Sequence, residues 1–461
     1  MRRAPLALCA GLVLALCASL PAIAQMPGQI VESPPAQSAD QKEVPLDSSF
    51  RARLLEPGRS RTTGALARAL EGQPVFLRDT NLTFKPRTYY FDQSDPDGKV
   101  EAAWALGGSL EYKSGLAWDR VWVGAEVFGS WPLYKGPNAG ETLLLTSQGD
   151  EYTVVGQAYI AANLAPTSQI VAGRMASVDT PYANRQFNRM TPNAFQGALL
   201  NGSVGLSAGP DDEQIARRFH YLVGYLDKIK ERNSESFVAM SQAAGSSLNR
   251  GTALGGARYT EGAFSAGLIE YFTPDVLNIV YAGVNFAPRL AAAYELKLSA
   301  QFTDQRSLAG GSNAPRSNQW GLEAVGSYSG AVLTLSFTQT SEEGEISTPW
   351  GSAPSFTRAA IHTDARAGEN AALASLSYHF GERAQSGLSA TAVAAYYWDA
   401  VSTPANPQPN QTEVDLYLDY RIPKGVLDGL WFRLQPNWQY DAGGGHTTQW
   451  RAIVYWEVPL L

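Results

Sequence analysis

The chain has 461 residues, with 36 basic and 43 acidic side chains and a formal net charge of −7. The excess of acidic groups argues against nucleic acid as a partner, because nucleic-acid-binding domains are usually basic. No stretch beyond the N-terminal segment approaches the roughly 18 to 20 apolar residues that a membrane-spanning helix needs. These bounds leave a soluble domain or a transmembrane β-barrel.

Residues 1–24 have the pattern of a secretory signal peptide. Arg2 and Arg3 precede the apolar stretch Leu6 to Leu20, and a cleavage site of the A-x-A type ends at Ala24. The sequence therefore predicts an exported protein whose mature chain begins at Gln25. Both cysteines of the chain leave with the signal peptide, so we expect neither a disulfide nor thiol chemistry in the mature chain.

Residues 25–80 are rich in Pro, Ser and Gln and lack the alternation of a strand. We expect this extension to be periplasmic and largely disordered. Thr62 to Leu70 is a candidate for a short helix, capped by Thr62 or Thr63. Two interpretations stay open for the extension: a tether with a transient helical turn, or a plug of the lumen or periplasmic contact.

From residue 81 onward, apolar and polar residues alternate in short segments. Between Ala293 and Thr303, one face of a strand is apolar and the other carries Glu, Lys, Ser, Gln and Thr. The alternation returns at Val414 to Arg421 and at Phe432 to Gln439. This pattern is typical of a transmembrane β-barrel with a polar lumen, although a soluble sandwich also alternates. The predicted export signal favours the barrel.

Strand candidates follow one another closely, with Gly, Pro, Asn and Asp between them. The first is Leu82 to Phe91 and the last is Gln449 to Val458. We expect about 18 strands, an even number, as a bacterial barrel with both termini in the periplasm requires. The predicted fold is an all-β, antiparallel transmembrane barrel over residues 81–461. Barrels of this size leave an aqueous channel.

Two predicted connections are too long to be simple turns, Ser177 to Asn193 and Ser341 to Ala371. Both follow an odd-numbered strand, which places them on the extracellular side. Loops of this length in a compact protein are usually functional or disordered. We expect both to fold inward and to narrow the lumen from opposite walls.

Several segments resemble the OprD family of outer-membrane porins, and they occur in the family's order. They are Leu82 to Gln93, Trp104 to Gly115, Arg189 to Gly197, Gly224 to Phe237 and the ending Pro459 to Leu461. The resemblance covers roughly Asn81 to Leu461. It implies an 18-stranded channel of the outer membrane for small solutes, typically carboxylates such as amino acids and aromatic acids, with loops three and seven forming the constriction.

The resemblance also implies a row of basic side chains that guides the carboxylate of the solute. Arg189 matches the arginine of the loop-three motif, Arg433 matches a basic position of the seventeenth strand, and Asp364 lies where an acidic residue of loop seven usually faces the pore. This chain departs from the pattern at Asp419, where an arginine is common, and at the neutral Gln435. These departures predict a thinner basic row and a weaker preference for carboxylates.

Strand parity adds further basic residues to the predicted lumen. The set consists of Lys85, Arg87, Arg174, Lys297, Arg421, Arg433 and Arg451. From it and the resemblance we take Arg189, Arg433, Asp364, Arg174, Lys297, Arg421 and Arg87 as candidate substrate-binding residues. The alternative is a solvated wall or ion pairs across the lumen, because Glu295, Asp415, Asp419 and Glu457 also have inward parity.

Other functions find less support. The chain has 4 histidines and lacks the H-E-x-x-H motif, so we expect neither an enzyme nor a cofactor or metal site. A structural or adhesive barrel would show low-complexity outer loops. A general diffusion porin is the closest rival to a selective channel. We expect a small-molecule solute and outer-membrane lipid, including lipopolysaccharide, as partners, and the sequence leaves open whether the barrel forms a homotrimer.

Overall fold

The computed structural model describes residues 55–58, 70–206, 217–288, 290, 294–311, 316–363, 365–381, 387–403 and 408–461. The predicted signal peptide, most of the extension and the candidate helix from Thr62 through residue 69 lie outside the described residues. The signal peptide and the disorder of the extension therefore stay predictions.

Twenty strands form one sheet within the described ranges, and two of them, Val238–Ala239 and Val458–Pro459, have 2 residues each. The other eighteen are the walls of the molecule. They are β1 (Asn81–Ser94), β2 (Val100–Lys113), β3 (Val121–Lys135), β4 (Tyr152–Ala165), β5 (Ser168–Met175), β6 (Ala194–Gly205), β7 (Arg217–Lys230), β8 (Thr252–Glu261), β9 (Phe264–Thr273), β10 (Leu277–Phe286), β11 (Tyr294–Ser307), β12 (Arg316–Tyr328), β13 (Ala331–Thr340), β14 (Asn370–His379), β15 (Leu388–Trp398), β16 (Gln411–Arg421), β17 (Trp431–Asp441) and β18 (His446–Tyr455).

The strands close into a barrel. Each long strand pairs antiparallel with the next along the chain. β18 then pairs with β1, from Arg87 opposite Tyr455 to Ser94 opposite Thr448. A closed ring satisfies the backbone hydrogen bonds of every strand, which a hydrocarbon environment requires. The predicted all-β barrel and its strand number are confirmed.

The side chains of β11 show why the barrel suits a membrane. Leu298 and Phe302 point outward and are each 42% exposed. Ser299, Gln301 and Thr303 alternate with them and are buried on the inner face. This arrangement, apolar outside and polar inside, is the reverse of a soluble barrel. Among the residues that the structure describes, no helix is long and apolar enough to cross a bilayer.

The connections differ at the two ends of the barrel. One end has short turns, such as residues 166–167, 262–263 and 329–330, and the other has residues 136–151 (loop 2), 176–193 (loop 3), 231–251 (loop 4) and 341–369 (loop 7). Among the described residues, short helices outside the wall are α1 (Val75–Arg78), a 3-10 helix (Ala139–Thr142) in loop 2, and α2 (Met240–Ala243) in loop 4. Outer-membrane barrels have their short turns in the periplasm, so the long loops are extracellular.

Candidate functional site

Loops 3 and 7 meet each other. Ala183 of loop 3 forms a parallel bridge with Trp350 of loop 7. The side-chain amide of Asn184 donates to the Ser352 carbonyl at 2.9 Å, and its oxygen accepts from the Ser352 N–H at 3.1 Å. Two connections that are 168 residues apart along the chain are therefore joined through backbone and side chain.

Both loops are also attached to the inner face of β11. The Tyr182 hydroxyl of loop 3 donates to Thr303 Oγ1 at 2.9 Å. Gln305 exchanges two hydrogen bonds with the backbone of Ser347 in loop 7, each 2.8 Å long. Because Thr303 lies on the polar inner face, these contacts place both loops inside the barrel, which confirms the predicted inward fold.

Two acidic residues of β16 hold a later part of loop 7. Glu413 accepts the N–H groups of Ile361 and His362 at 2.6 and 2.8 Å. Asp415 accepts the N–H of Ala360 at 3.0 Å. A carboxyl group offers two oxygens, and each can accept a backbone N–H. Loop 7 is thus fixed to the wall of β16 as well as to β11.

Loops 2 and 4 support this arrangement from behind. Arg189 of loop 3 donates from Nε to the Thr142 carbonyl of loop 2 at 3.0 Å. Trp350 of loop 7 is fully buried and donates from Nε1 to the Met240 carbonyl of loop 4 at 2.8 Å. The sequence analysis singled out loops 3 and 7 and overlooked these two supporting loops.

Basic and aromatic side chains collect on the wall at the junction of β1 and β18. We call this cluster the basic-aromatic wall; it consists of Arg87 and Phe91 of β1, Arg451 and Tyr455 of β18, and Phe187 and Arg189 of loop 3. The guanidinium carbons of Arg189 and Arg451 lie 5.0 and 5.8 Å from the centre of the Phe91 ring. One aromatic ring therefore brings a loop arginine and a wall arginine together.

The second half of the basic-aromatic wall is built in the same way. The Arg87 guanidinium carbon lies 4.4 Å from the ring centre of Phe187 and 5.7 Å from that of Tyr455. The two rings meet edge to face at 5.9 Å. Arg451 connects the cluster to loop 7, because its Nη2 donates to the Ala360 carbonyl at 2.8 Å. Loops 3 and 7 therefore both contact this cluster.

Arg433 lies directly opposite an acidic residue. Asp419 on β16 lies opposite Arg433 on β17, and the two form a bidentate ion pair of 2.8 and 3.1 Å. Trp431 donates from Nε1 to the same carboxylate at 2.8 Å, and its ring lies 4.8 Å from the Arg433 guanidinium carbon. The departure from the family pattern at Asp419 thus neutralises a neighbouring cation.

The other predicted residues are dispersed. Asp364 lies outside the described residues. Lys297 is half-buried on β11, and Arg421 is exposed at the periplasmic end of β16. The prediction that Arg174 faces the lumen is wrong. Its register partner is Ala158, on the same outer face as Ile160, which is 51% exposed.

Arg174 can lie on the outer face because it is close to the extracellular rim. Arg174 lies next to the extracellular end of β5 and donates to Gln196 Oε1 and to the Val155 carbonyl, each at 3.4 Å. Its guanidinium carbon also lies 4.4 Å from the Phe237 ring centre of loop 4. Long cationic side chains near a membrane boundary reach the polar interface.

The aromatic members of the wall were not predicted from the sequence, and of the two acids that hold loop 7 only Asp415 was identified. Glu413 shares its strand face with Asp415, so the parity that identified Asp415 could also have identified Glu413. Phe91 and Arg87 share a face of β1 in the same way. Nothing in the sequence shows which cation each ring meets, because those contacts join β1, β18 and loop 3.

Comparison with known proteins agrees with this architecture. The family model described as "outer membrane porin, OprD family" matches residues 74–460. OccK9 (OpdG) of Pseudomonas aeruginosa has a TM-score of 0.72 at 19% identity, covering 84% of this chain and 100% of its own. OccAB1 of Acinetobacter baumannii has a TM-score of 0.71 at 18% identity, covering 85% and 99%.

OpdK of Pseudomonas aeruginosa, solved with vanillate, has a TM-score of 0.69 at 20% identity and covers 83% of this chain and 100% of its own. The search of curated proteins gave no match. At these identities the structures establish the fold, and the family match spans most of the chain. The chain belongs to the OprD family of outer membrane porins, and it is a channel of the outer membrane rather than an enzyme.

Proposed function

We propose that the channel conducts small solutes with a carboxylate and a compact apolar or aromatic body, and that the basic-aromatic wall binds them. The observation that carries the proposal is the placement of Arg189 and Arg451 against one ring, Phe91. OpdK, a channel of the same fold, was solved with the aromatic acid vanillate, which supports this class of solute.

The chemistry of the wall suits such a molecule. A carboxylate that loses part of its hydration needs charged donors nearby, and guanidinium groups supply them with planar geometry. Phe91 is 2% exposed and brings the two arginines together, whereas the half-buried rings of Phe187 and Tyr455 offer an apolar surface to the rest of the solute. Conduction also requires that binding be weak enough for release. The carbonyls of Thr142 and Ala360 occupy part of Arg189 and Arg451, which moderates their attraction for an anion.

Single-channel recording of the purified protein with added vanillate tests the proposal. We expect small current steps that vanillate blocks, with block weakened in Arg189→Gln and Arg451→Gln. A charge-assisted hydrogen bond contributes about 1.5–3 kcal/mol, so each variant should lose roughly tenfold or more in apparent affinity. Arg174→Gln removes the same charge from the outer face and is the matched control.

The outcomes separate the proposal from its rival. A general diffusion pore would show large steps that are indifferent to vanillate and to all three substitutions. Equal loss of block in Arg174→Gln and Arg189→Gln would show that overall charge, and not the basic-aromatic wall, attracts the solute.

We also propose that the outer face of the barrel contacts lipid. The exposed apolar side chains of the strands, such as Leu298 and Phe302, are suited to contact with outer-membrane lipid. We assign no trimer interface, because an apolar surface that faces lipid has the same composition as one that faces another subunit.

A further inference from the structure

Residues 55–58, with the sequence Leu-Glu-Pro-Gly, lie against the barrel, well before the first strand begins. We call them the strap. Leu55 is bound at both of its backbone polar groups by one side chain: its N–H donates to Gln169 Oε1 at 2.9 Å, and its carbonyl accepts from Gln169 Nε2 at 3.0 Å. Gln169 is 1% exposed. A buried amide that satisfies both backbone groups of one residue fixes that residue's position.

Gln169 lies on the inner wall at the periplasmic end. It is the second residue of β5, directly after the short turn from β4. Gln169 and Val171 are buried, whereas Ile170 between them is 39% exposed on the outer face. Leu55 packs with Leu116 against the apolar cluster that contains Val171. The strap therefore lies inside the periplasmic mouth.

Gly58, at the other end of the strap, is also packed closely against the barrel. The Gly58 N–H donates to the Ser114 carbonyl at 2.8 Å. A Cβ atom at Gly58 would lie 2.6 Å from the backbone carbonyl oxygens of Asp79 and Lys113, which cannot move as a flexible side chain can. Only glycine is accommodated at this position. The strap thus has a built site with a hydrogen-bonding requirement at one end and a steric requirement at the other.

The strap lies before the segment that the family model matches, which begins at residue 74.

We infer that the strap is an intrachain restriction of the periplasmic mouth, held in place by Gln169 and the Gly58 contact. Backbone that lies on the inner wall takes cross-section from the lumen, and pore dimension limits ion flow. Release of the strap widens this mouth and raises conductance. Of the two interpretations left open for the extension, this selects the lumen plug over the tether.

Two substitutions release the strap from opposite ends. Gly58→Val places side-chain atoms against the Asp79 and Lys113 carbonyls, and Gln169→Leu removes both hydrogen bonds to Leu55 while retaining an apolar side chain of similar size. Gly72→Val is the matched control, because a Cβ at Gly72 meets no atom within 4 Å. Trypsin cleavage beside the strap, at Arg53 and Arg59, reports release independently of current.

We expect the unitary conductance of Gly58→Val and Gln169→Leu to rise about 1.5-fold, with faster cleavage at Arg53 and Arg59 and with Gly72→Val unchanged in both measurements. Faster cleavage with unchanged conductance would overturn the inference, and so would unchanged cleavage in both variants. Folding is checked by heat-dependent mobility on gels, and a chain lacking residues 55–58 replaces any variant that fails this check.

The inference rests on channel activity, since conductance is its measure, but the two can fail separately. Block by vanillate tests the basic-aromatic wall at the extracellular loops. A wild-type channel that vanillate blocks normally, with a conductance that strap release leaves unchanged, would refute the strap and leave the proposed function intact.

Discussion

Asp419 and Arg433 show how a single acidic residue changes the charge of the wall. Their carboxylate and guanidinium groups are in bidentate contact, and both side chains are mostly buried. A cation that is paired in this way attracts a passing anion less than it would without the opposing carboxylate.

We predict that Asp419→Asn makes the channel more selective for anions. The substitution keeps the size of the side chain but removes the negative charge opposite Arg433. The reversal potential in a salt gradient should shift toward the value expected for anion permeation. Asp150→Asn is the control, because it removes a carboxylate from a similar pair with Lys135 at the exposed rim. A shift of equal size in both variants would contradict a local effect of Asp419.

Residue positions could be predicted from the sequence only as far as strand parity applies. Parity placed Arg87, Arg433 and Arg451 on the inner face correctly, because each lies within a strand that alternates along most of its length. It failed at Arg174, which follows the buried Val171 by an odd number of residues. A shift of one residue in the assumed alternation assigns every side chain of the strand to the opposite face of the wall.

Loop 7 shows how a long connection is held in one place. It is attached to β11 through Gln305, to β16 through Glu413 and Asp415, and to loop 3 through Ser352. These attachments lie on different parts of the barrel wall. A loop fixed at several separated points restricts the lumen without forming a helix or strand of its own.

We predict that Glu413→Gln loosens loop 7. The amide keeps one acceptor oxygen and replaces the second oxygen with an NH2 donor, so the N–H groups of Ile361 and His362 can no longer both be satisfied. Leaving a buried N–H without its acceptor costs about 1–3 kcal/mol. Single-channel records should show more frequent transitions between current levels.

Glu295→Gln is the control for this prediction, because Glu295 is an exposed glutamate of β11 bound to Ser327 at 2.9 Å. Records of Glu413→Gln that match both wild type and Glu295→Gln would show that loop 7 does not depend on this carboxylate.

At the level of elements, the strands were more predictable than the loops. Alternation repeats within each strand, so eighteen strands could be identified in order. Loops 2 and 4, which support the site, left a weaker signal, because the length of a connection does not indicate its partner. The carbonyls of Thr142 and Met240 are backbone groups, which any residue would supply.

The whole molecule is organised around one closed ring, with the site at one end and the strap at the other. The basic-aromatic wall lies at the junction of β1 and β18 and meets the extracellular loops, whereas the strap contacts β5 and the turn after β2 at the periplasmic mouth. Two restrictions in series limit different properties of a channel. We expect the wall to determine which solute binds and the strap to limit how fast ions pass.

The sequence predicted that the barrel closes, but it did not show which residues meet at the closure. An even number of amphipathic strands between two periplasmic termini has to close to avoid unpaired edges in lipid. The register of the closure could not be predicted, because it joins residues from the two ends of the barrel domain. No local feature of the sequence indicates that Arg87 lies opposite Tyr455.

The junction of β1 and β18 also determines when the molecule can mature. The Gln449 side-chain amide donates to Gln93 Oε1 at 2.6 Å across 356 residues of sequence. Contacts between such distant residues form late and slowly, so two of the six residues of the basic-aromatic wall, Arg451 and Tyr455, are absent until the last strand arrives. Nascent chains that stop before His446 should therefore stay protease-sensitive and never acquire the heat-dependent gel mobility of the finished barrel, whereas full-length chains should gain that mobility and protease resistance together.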